Sequence, residues 1–210
     1  MTPHRLAGVF GIALAACGRP EELPFYRTRE MSPEWLTARQ ASLASMHRVA
    51  PFRMVDQHGA DVSERTLEGK ATIVHFFFTT CGDICPTTTS NIRRLLERVP
   101  DEARLQVLSV SVAPELDSVP ELRRFAARHQ IADPRWHLLT GARAATEQLA
   151  RESFFTTLGS RQRNGVASVA HTESVWLVDA SGRLRGVYAG MLLLEMSRLE
   201  EDLRVLIASQ

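Results

Sequence analysis

Apolar positions are most concentrated in one stretch near the middle of the chain, VHFFFTTCGDICP at residues 74–86. The apolar run up to Phe78 is continuous, which is typical of a strand that is buried on both faces of a sheet. Turn and cap residues follow, and Pro86 suits the first turn of a helix, where its missing N–H costs nothing. The stretch therefore predicts a buried strand that runs into a helix, with two cysteines at the junction.

Strand and helix patterns alternate along the chain around this stretch. A glycine turn, DQHG at 56–59, predicts an early hairpin, and a capping box at 118–121 predicts a helix start. Predicted strands cover residues 72–78, 105–112, 136–139, 173–179 and 183–190, and predicted helices cover 85–98, 118–129, 143–151 and 196–206. Residues 153–170 are predicted as a loop. The alternation predicts parallel pairing with right-handed crossovers, in the order of a thioredoxin-like fold.

The first 17 residues predict an exported protein. A short apolar run, Leu6–Ala16, follows a basic start and suits a signal peptide better than a transmembrane helix. The junction LAAC resembles a bacterial lipoprotein box, in which Cys17 becomes the lipidated first residue of the mature chain. The alternative is an ordinary secretory signal in which Cys17 is incidental.

These features define the expected organisation of the chain. We expect residues 1–17 to be a lipoprotein-type signal peptide, 18–48 a tether with a short helix, and 49–210 one folded domain. The expected location is the bacterial cell envelope, where a lipid anchor holds the domain on the periplasmic or extracytoplasmic side of a membrane.

Composition supports one globular domain and argues against binding to nucleic acid. Of the 210 residues, 44% are hydrophobic and 23% are charged, which suffices for one well-packed domain. The formal net charge is only +1, whereas nucleic-acid-binding proteins carry a concentrated surplus of basic residues. Lys70 is the only lysine, and the arginines are interleaved with acidic residues, as on a solvated surface.

Cys81 and Cys85 are the cysteines that remain in the domain if lipid takes Cys17. Residues with this spacing at a helix start share a face, with Cβ atoms roughly 5–6 Å apart, which suits a shared metal ion. A disulfide needs Cβ atoms about 3.5–4.5 Å apart, so a bridge here would require local adjustment and be reducible. The helix N-terminus also favours thiolates. Two buried structural cysteines are the alternative, but exported bare thiols favour a redox or metal role.

Several segments of the chain resemble the Sco/SenC family of copper-binding assembly factors for cytochrome c oxidase. They are LPFYRTREMSPEWL, PFRMVDQHGADVSERTLEGK, FFFTTCGDICP, LSVSVAPELDS, HLLTG and AHTESVWLVDASGRLRGVY, and they extend from about Leu23 to Leu206. The CxxxCP element with a late histidine is the most specific part. The resemblance implies a thioredoxin-like α/β fold with a central mixed sheet flanked by helices and an added N-terminal β-hairpin. It also implies copper, as Cu(I) or Cu(II), as the bound metal.

His171 matches the metal-binding histidine of that family. Two thiolates and one imidazole form a soft, three-ligand set that favours Cu(I), also suits Cu(II), and can exchange metal because it is not closed. Zinc would accept the same donors, but structural zinc takes four protein ligands, and the sequence offers no convincing fourth. For an isolated histidine, a hydrogen-bonded or surface role is the alternative.

The other histidines are better explained by structural roles. His75 lies inside the central strand, up to roughly 20 Å from Cys81 at about 3.3 Å per residue, and is expected to be a satisfied core residue. Met46 and His47 could suggest an accessory copper site, but one of each on a tether does not make a metal cage. The rest lie in a turn, at a helix end and in a strand: His58, His129 and His137.

Acidic residues near the cysteines are candidates for a supporting role. Asp83 matches a family position, where it could tune thiol reactivity or partner docking, or simply cap the helix. Ala113 departs from the family, since many members have Asp there, so no polar side-chain contact is expected from that position. Glu115 and Asp117 are candidates for an acidic rim, or else begin the next helix.

The resemblance implies a metallochaperone that delivers copper to the CuA site of cytochrome c oxidase subunit II by ligand exchange. The alternative is an enzyme, a thiol–disulfide reductase of the CuA-site cysteines, with Cys81 and Cys85 as its redox dithiol. A thiol peroxidase is disfavoured, because peroxidases of this fold usually attack with one positioned cysteine. Other expected partners are a periplasmic copper carrier or thiol reductase, and the membrane through the lipid anchor. His171 separates the first two functions, because a simple dithiol reductase does not require it.

Overall fold

A mixed sheet of five strands forms the centre of the computed structural model, which describes residues 22–43, 45–82, 84–99, 103–163, 166–170 and 173–209. In chain order the strands are β1 (Arg53–Val55), β2 (Asp61–Ser63), β3 (Ala71–Phe77), β4 (Leu105–Ser111), β5 (Trp136–Leu139), β6 (Gly159–Arg163), β7 (Val166–Ala170), β8 (Ser174–Val178) and β9 (Leu184–Ala189). The α-helices are α1 (Ala38–Leu43), α2 (Ile84–Arg98), α3 (Val119–Arg128), α4 (Arg143–Ser153) and α5 (Leu193–Ala208), and a 3₁₀ turn covers Glu64–Leu67.

The strand order of the central sheet is β5-β4-β3-β8-β9. The β3–β4 and β4–β5 pairs are parallel, whereas β8 pairs antiparallel with β3 and β9 antiparallel with β8. This confirms the α/β, thioredoxin-like arrangement that the sequence predicts. The strands β3 and β4 end at the same edge of the sheet where β8 begins and β9 ends. We call this the cysteine edge, because Cys81 follows β3 there.

Strand β3 is buried along its whole length, as its continuous apolar run predicts. Its side chains alternate between two apolar clusters on opposite faces of the sheet, as the period of a strand requires. Ile73 and Phe77 pack with residues of α2, α3 and α5, whereas Val74 and Phe76 pack with residues of α4 and the β1–β2 hairpin. Burying each large apolar side chain contributes about 1.5–3 kcal/mol, so this strand anchors both layers.

The predicted early hairpin is present as β1 and β2. Its turn includes Gly59 at a φ of 84°, a left-handed conformation that favours glycine. Asp56 Oδ1 stabilises the turn by accepting hydrogen bonds from the N–H groups of His58 and Ala60 at 2.8 and 2.9 Å. The buried side chain of Gln57 bonds the backbone of β5, so the hairpin is fastened to that edge of the sheet.

Two local predictions were wrong. The predicted loop 153–170 contains the antiparallel pair β6–β7, whose sequences, GSRQR and VASVA, lack the apolar alternation that marks a half-buried strand. Ser118 does precede α3, but its side chain makes no capping hydrogen bond. Glu121 pairs with Arg124 instead of completing a capping box.

The segment before α1 packs on the far side of β9. Leu23 and Phe25 are buried, and the Phe25 ring lies 3.9 Å from the guanidinium carbon of Arg185. The backbone N–H of Tyr26 donates to the carbonyl of Leu184 at 3.1 Å. Within the described ranges, no helix combines the length and the apolar character needed to cross a membrane. The boundaries between signal, tether and domain stay predictions.

His75 is a satisfied core residue, as expected. It is 2% exposed, and its Nε2 lies 2.6 Å from the hydroxyl of Ser109, which also accepts a 2.7 Å hydrogen bond from Trp136 Nε1. A hydroxyl that accepts from Trp136 can donate its one proton to His75, which fits a neutral imidazole. Burial lowers the pKa of His75 from 6.5 to about 4.

The pKa shift of His75 makes the stability of the fold depend on pH. The folded-state pKa is below the unfolded one, so the unfolded chain binds a proton first, and stability falls as pH falls from 6.5 towards about 4. We expect this group to remove about 2 kcal/mol of unfolding free energy between about pH 7 and pH 5. Urea denaturation of the wild type and of His75→Asn at both pH values measures it. An equal loss in both proteins would contradict the assignment.

Candidate metal centre

The cysteine pair lies just beyond the end of β3. The carbonyl of Phe77 accepts the N–H of Val112 at 2.8 Å, and the carbonyl of Phe78 accepts the N–H of Cys81 at 3.2 Å, which closes a tight turn. Helix α2 begins at Ile84, so Cys81 precedes the helix and only Cys85 lies in its first turn. The expectation that both cysteines share one helix face is therefore wrong in detail, because turn residues delay the helix.

The turn nevertheless brings the two cysteines together. Neither cysteine forms a disulfide, and the N–H of Cys85 donates to the sulfur of Cys81 at 3.3 Å. Cys81 is half-buried, whereas Cys85 is 3% exposed and belongs to the apolar cluster that contains Phe77. The pair therefore consists of one outer sulfur and one inner sulfur.

The inner thiol is held in its protonated form. Burial is the largest cause that raises the pKa of Cys85 far above its ordinary value, and its hydrogen bond with Cys81 adds to the effect. A charged sulfur loses solvation in an apolar surrounding, and at this residue that effect outweighs the helix N-terminus. The expectation that the helix favours a thiolate is thus wrong for Cys85. A metal ion bound by this sulfur must displace its proton.

The corner between β9 and α5 fixes the position of α2 beside the cysteines. The side-chain amide of Asn91 donates to the carbonyl of Gly190 at 3.0 Å, and the N–H of Gly190 donates to the carbonyl of Glu173 at 2.9 Å. A Cβ atom at Gly190 would lie 2.7 Å from methyl carbons of Thr88 and Val175, closer than real contacts allow. Glycine therefore lets α2, β8 and β9 meet at the cysteine edge.

The acidic residues of the β4–α3 loop have different surroundings. Glu115 is exposed and pairs with Arg143 at 2.5 Å, as expected of a rim residue. Asp117 is 0% exposed, so its predicted place at the rim is wrong. Ala113 is buried, and its carbonyl accepts the N–H of Asp117 at 3.0 Å, so the loop folds its acidic side chain inward.

Asp117 bonds to the turn that leads to Cys81. Its Oδ1 accepts from the Thr79 hydroxyl at 2.5 Å and from the Thr79 N–H at 3.2 Å, and its Oδ2 accepts from the Ser111 hydroxyl at 2.5 Å. Sequence reasoning missed this contact. Its signal is a pair of hydroxyl residues, Thr79 and Ser111, at the ends of adjacent strands, because buried hydroxyls need partners.

Three of the remaining histidines that the structure describes have structural partners. His47 Nε2 lies 2.9 Å from the Ser153 carbonyl oxygen, which disfavours the accessory copper site on the tether. His137 pairs with Asp56 at 3.2 Å, and the ring of His129 packs on a phenylalanine at 4.2 Å. Among the described residues, no three His, Cys, Asp or Glu side chains are grouped so that they could hold a metal ion.

Three predicted site residues lie outside the described residues: Cys17, Asp83 and His171. The described part of the site therefore supplies two sulfur donors. Thiols of this kind can bind a soft metal ion or exchange with a disulfide, and both reactions can start at the accessible Cys81.

The strand order, the flanking helices and the cysteine pair after the central strand define a thioredoxin-like protein. A family model described as SCO1/SenC matches residues 40–207, and the chain belongs to this family. The SCO1 protein homolog of Bacillus subtilis (strain 168) is 31% identical over 147 residues, which are 69% of this chain and 75% of the relative.

Solved structures of the same family have the same fold. A SCO1/SenC family lipoprotein from Bacillus anthracis str. Ames is 25% identical with a TM-score of 0.69, over 76% of this chain and 95% of that chain. BsSco, described as a member of the Sco family of cytochrome c oxidase assembly proteins with a disulfide switch, is 28% identical with a TM-score of 0.68, over 78% and 95%. Copper-bound ScoI from Bradyrhizobium japonicum is 25% identical with a TM-score of 0.65, over 76% and 99%.

Proposed function

We propose that this protein binds copper through Cys81, Cys85 and His171 and delivers it to the CuA site of cytochrome c oxidase subunit II during oxidase assembly. The observation that carries the proposal is the cysteine pair at the end of β3. The two thiols are unbridged and adjacent, and one of them is accessible. Thiolate sulfur is the donor that Cu(I) prefers, and an imidazole extends the set to Cu(II).

Similar proteins support copper as the cargo. ScoI of Bradyrhizobium japonicum was solved with copper bound, and BsSco belongs to a family of cytochrome c oxidase assembly proteins. The Glu173 carbonyl accepts a hydrogen bond from the Gly190 N–H at the cysteine edge. His171 precedes Glu173 by two residues in the sequence, which supports its inclusion in the ligand set. A set of three ligands leaves copper open to attack by a fourth, which suits transfer more than storage.

The residues have separate tasks in binding and release. Cys81 is the sulfur that solvent and a partner reach, and it takes up the ion first. Cys85 then gives up its proton and holds the ion against the apolar cluster. Sulfur donors of the acceptor displace the two cysteines one after the other, so the ion passes by ligand exchange and no electron needs to move.

Reduction of the CuA-site cysteines is a second candidate function. It is favoured by the adjacency of the two thiols and by the disulfide switch described for BsSco. In that reaction two electrons and two protons pass from Cys81 and Cys85 to a disulfide of the acceptor, which leaves a Cys81–Cys85 disulfide here. The two functions act on the same partner, because CuA can be filled only when its cysteines are reduced.

Copper titration of the soluble domain tests the metal site. Reduced protein should bind one copper ion, and protein with Cys81 and Cys85 oxidised to a disulfide should bind none, because the bridge removes both thiolates. Absorption and EPR spectra during titration measure binding, and reduction of the oxidised sample should restore it. If the oxidised domain binds one copper with unchanged affinity, the site lies elsewhere. Copper-free protein that reduces a CuA-domain disulfide would favour the reductase.

Replacement of the histidine separates the two copper oxidation states. In His171→Ala, Cu(I) binding should survive in weakened form, because two thiolates satisfy Cu(I), whereas Cu(II) should lose its thiolate charge-transfer absorption or decay. The unfolding free energy should change by about 0.5 kcal/mol or less. Cu(I) competition, Cu(II) EPR and circular dichroism test the three parts. The exposed His58→Ala is the control, and nitrogen hyperfine coupling that persists in His171→Ala would assign the ligand to another histidine.

We also propose that Cys17 carries the lipid anchor, in line with the lipoprotein of Bacillus anthracis in the same family. The mature chain should begin at Cys17 with diacylglycerol attached and remain in the membrane fraction. Intact-mass and peptide mass spectrometry of the membrane fraction decide this. Recovery of mature protein that is cut elsewhere, or that carries an unmodified Cys17 in the soluble fraction, would contradict the lipid anchor.

A further inference from the structure

A fully buried carboxylate lies beside the cysteine turn and is not explained by copper binding itself. Asp117 is 0% exposed, and three donors face it, from the hydroxyl and the N–H of Thr79 and from the hydroxyl of Ser111. Burial of a carboxylate is strongly unfavourable unless hydrogen bonds replace its water. A buried polar network stabilises the fold when all its hydrogen bonds are formed, and an unpaired group within it is costly.

The carboxylate connects the ends of two strands to the turn that bears Cys81. Ser111 is the last residue of β4 and pairs with Phe77, the last residue of β3. Thr79 lies in the middle of the turn that the Cys81 N–H closes on the Phe78 carbonyl at 3.2 Å. The three donors and Asp117 thus form a clamp, which we call the Asp117 clamp, between β4 and the turn.

We propose that Asp117 is a positioning residue for the cysteine pair: the clamp holds the turn so that the sulfur of Cys81 stays against the N–H of Cys85 and the inner thiol stays buried. The inference rests on the proposed function for its copper readout only. Loss of the clamp would let the turn open, which would expose Cys85 and widen the spread of distances between the two sulfurs.

Asp117→Asn tests the clamp with the smallest change of shape. Both carboxylate oxygens of Asp117 accept hydrogen bonds, whereas an amide has one acceptor oxygen and one NH₂ group. In the variant the NH₂ group would therefore face a hydroxyl or N–H donor in place of an acceptor. Asp179→Asn is the matched control. Asp179 is also buried, and its Oδ1 accepts from the N–H groups of Ser181 and Arg183 at 2.9 and 3.0 Å. It lies at the end of the sheet away from the cysteines, after β8.

Two measurements report on the state of the cysteine pair. The first is the rate at which iodoacetamide alkylates Cys85 in reduced, metal-free protein under native conditions, resolved by peptide mass spectrometry. The second is Cu(I) affinity by competition with a chromogenic chelator. In Asp117→Asn we expect Cys85 to react several-fold faster and Cu(I) affinity to fall by roughly 10–100-fold, the range found when outer partners of metal ligands are lost. Asp179→Asn should lower the unfolding free energy but leave the Cys85 alkylation rate and the Cu(I) affinity at their wild-type values.

The outcomes are decisive in each case. The inference is overturned if Asp117→Asn folds and has the wild-type alkylation rate and copper affinity. It is also overturned if Asp179→Asn changes both quantities equally, because that would mean a general loosening of the fold.

If Asp117→Asn does not fold, Thr79→Val, which removes one donor, takes its place. Thr66→Val is then the control, because it removes a hydroxyl far from the turn. The Thr66 hydroxyl donates to the Ser63 carbonyl at 2.7 Å. Wild-type readouts in Thr79→Val then overturn the clamp. A wild type that binds no copper refutes the proposed function, while the alkylation rates still decide the inference.

Discussion

The complete burial of β3 is the constraint on which the rest of the structure depends. A strand that is covered on both faces needs a layer on each side, and the chain supplies α2, α3 and α5 on one face and α4 with the β1–β2 hairpin on the other. The end of such a strand is the place where the chain first reaches the surface. Cys81 lies at that exit, so the apolar packing that stabilises the fold also decides where the two sulfurs lie.

Polar groups near this strand are arranged to avoid the cost of burial. His75 stays neutral in a chain of hydrogen bonds through Ser109 to Trp136, and Asp117 keeps its carboxylate oxygens bonded to Thr79 and Ser111. Cys85 responds to the same apolar surroundings by keeping its proton, since burial raises its pKa. One physical effect, the loss of solvation on burial, therefore accounts for the surroundings of three residues near this strand: His75, Asp117 and Cys85.

The predictions succeeded where one chemical pattern decides the structure. The continuous apolar run located β3, the glycine turn located the β1–β2 hairpin, and the alternation of elements gave the parallel pairs of the sheet. Proximity of Cys81 and Cys85 also followed from their spacing. The role of the pair, and that of His171, stays a proposal, because sequence spacing sets which side chains can meet and not which ion they bind.

The failures arose where the outcome depends on contacts distant in sequence. Asp117 is polar and follows a strand, so local pattern favours the surface, and only the fold brings Thr79 and Ser111 to it. The sequences of β6 and β7 lack the apolar alternation that predicts a half-buried strand, and the side chain of Ser118 makes no capping hydrogen bond to the helix that follows it. The start of α2 at Ile84 likewise follows a turn, which the Cys81 N–H closes on the Phe78 carbonyl.

The unequal depth of the two sulfurs imposes an order of events. A donor or acceptor that arrives from solvent meets Cys81 first, because Cys81 is half-buried whereas Cys85 is 3% exposed. In the proposed ligand exchange, arrival and departure are therefore sequential rather than concerted, and each transfer passes through a state in which the ion is bound by one sulfur of each protein. In this proposed state the ion is held by both proteins at once, so it is never released into the surrounding water, where it would be free to react with the wrong molecule.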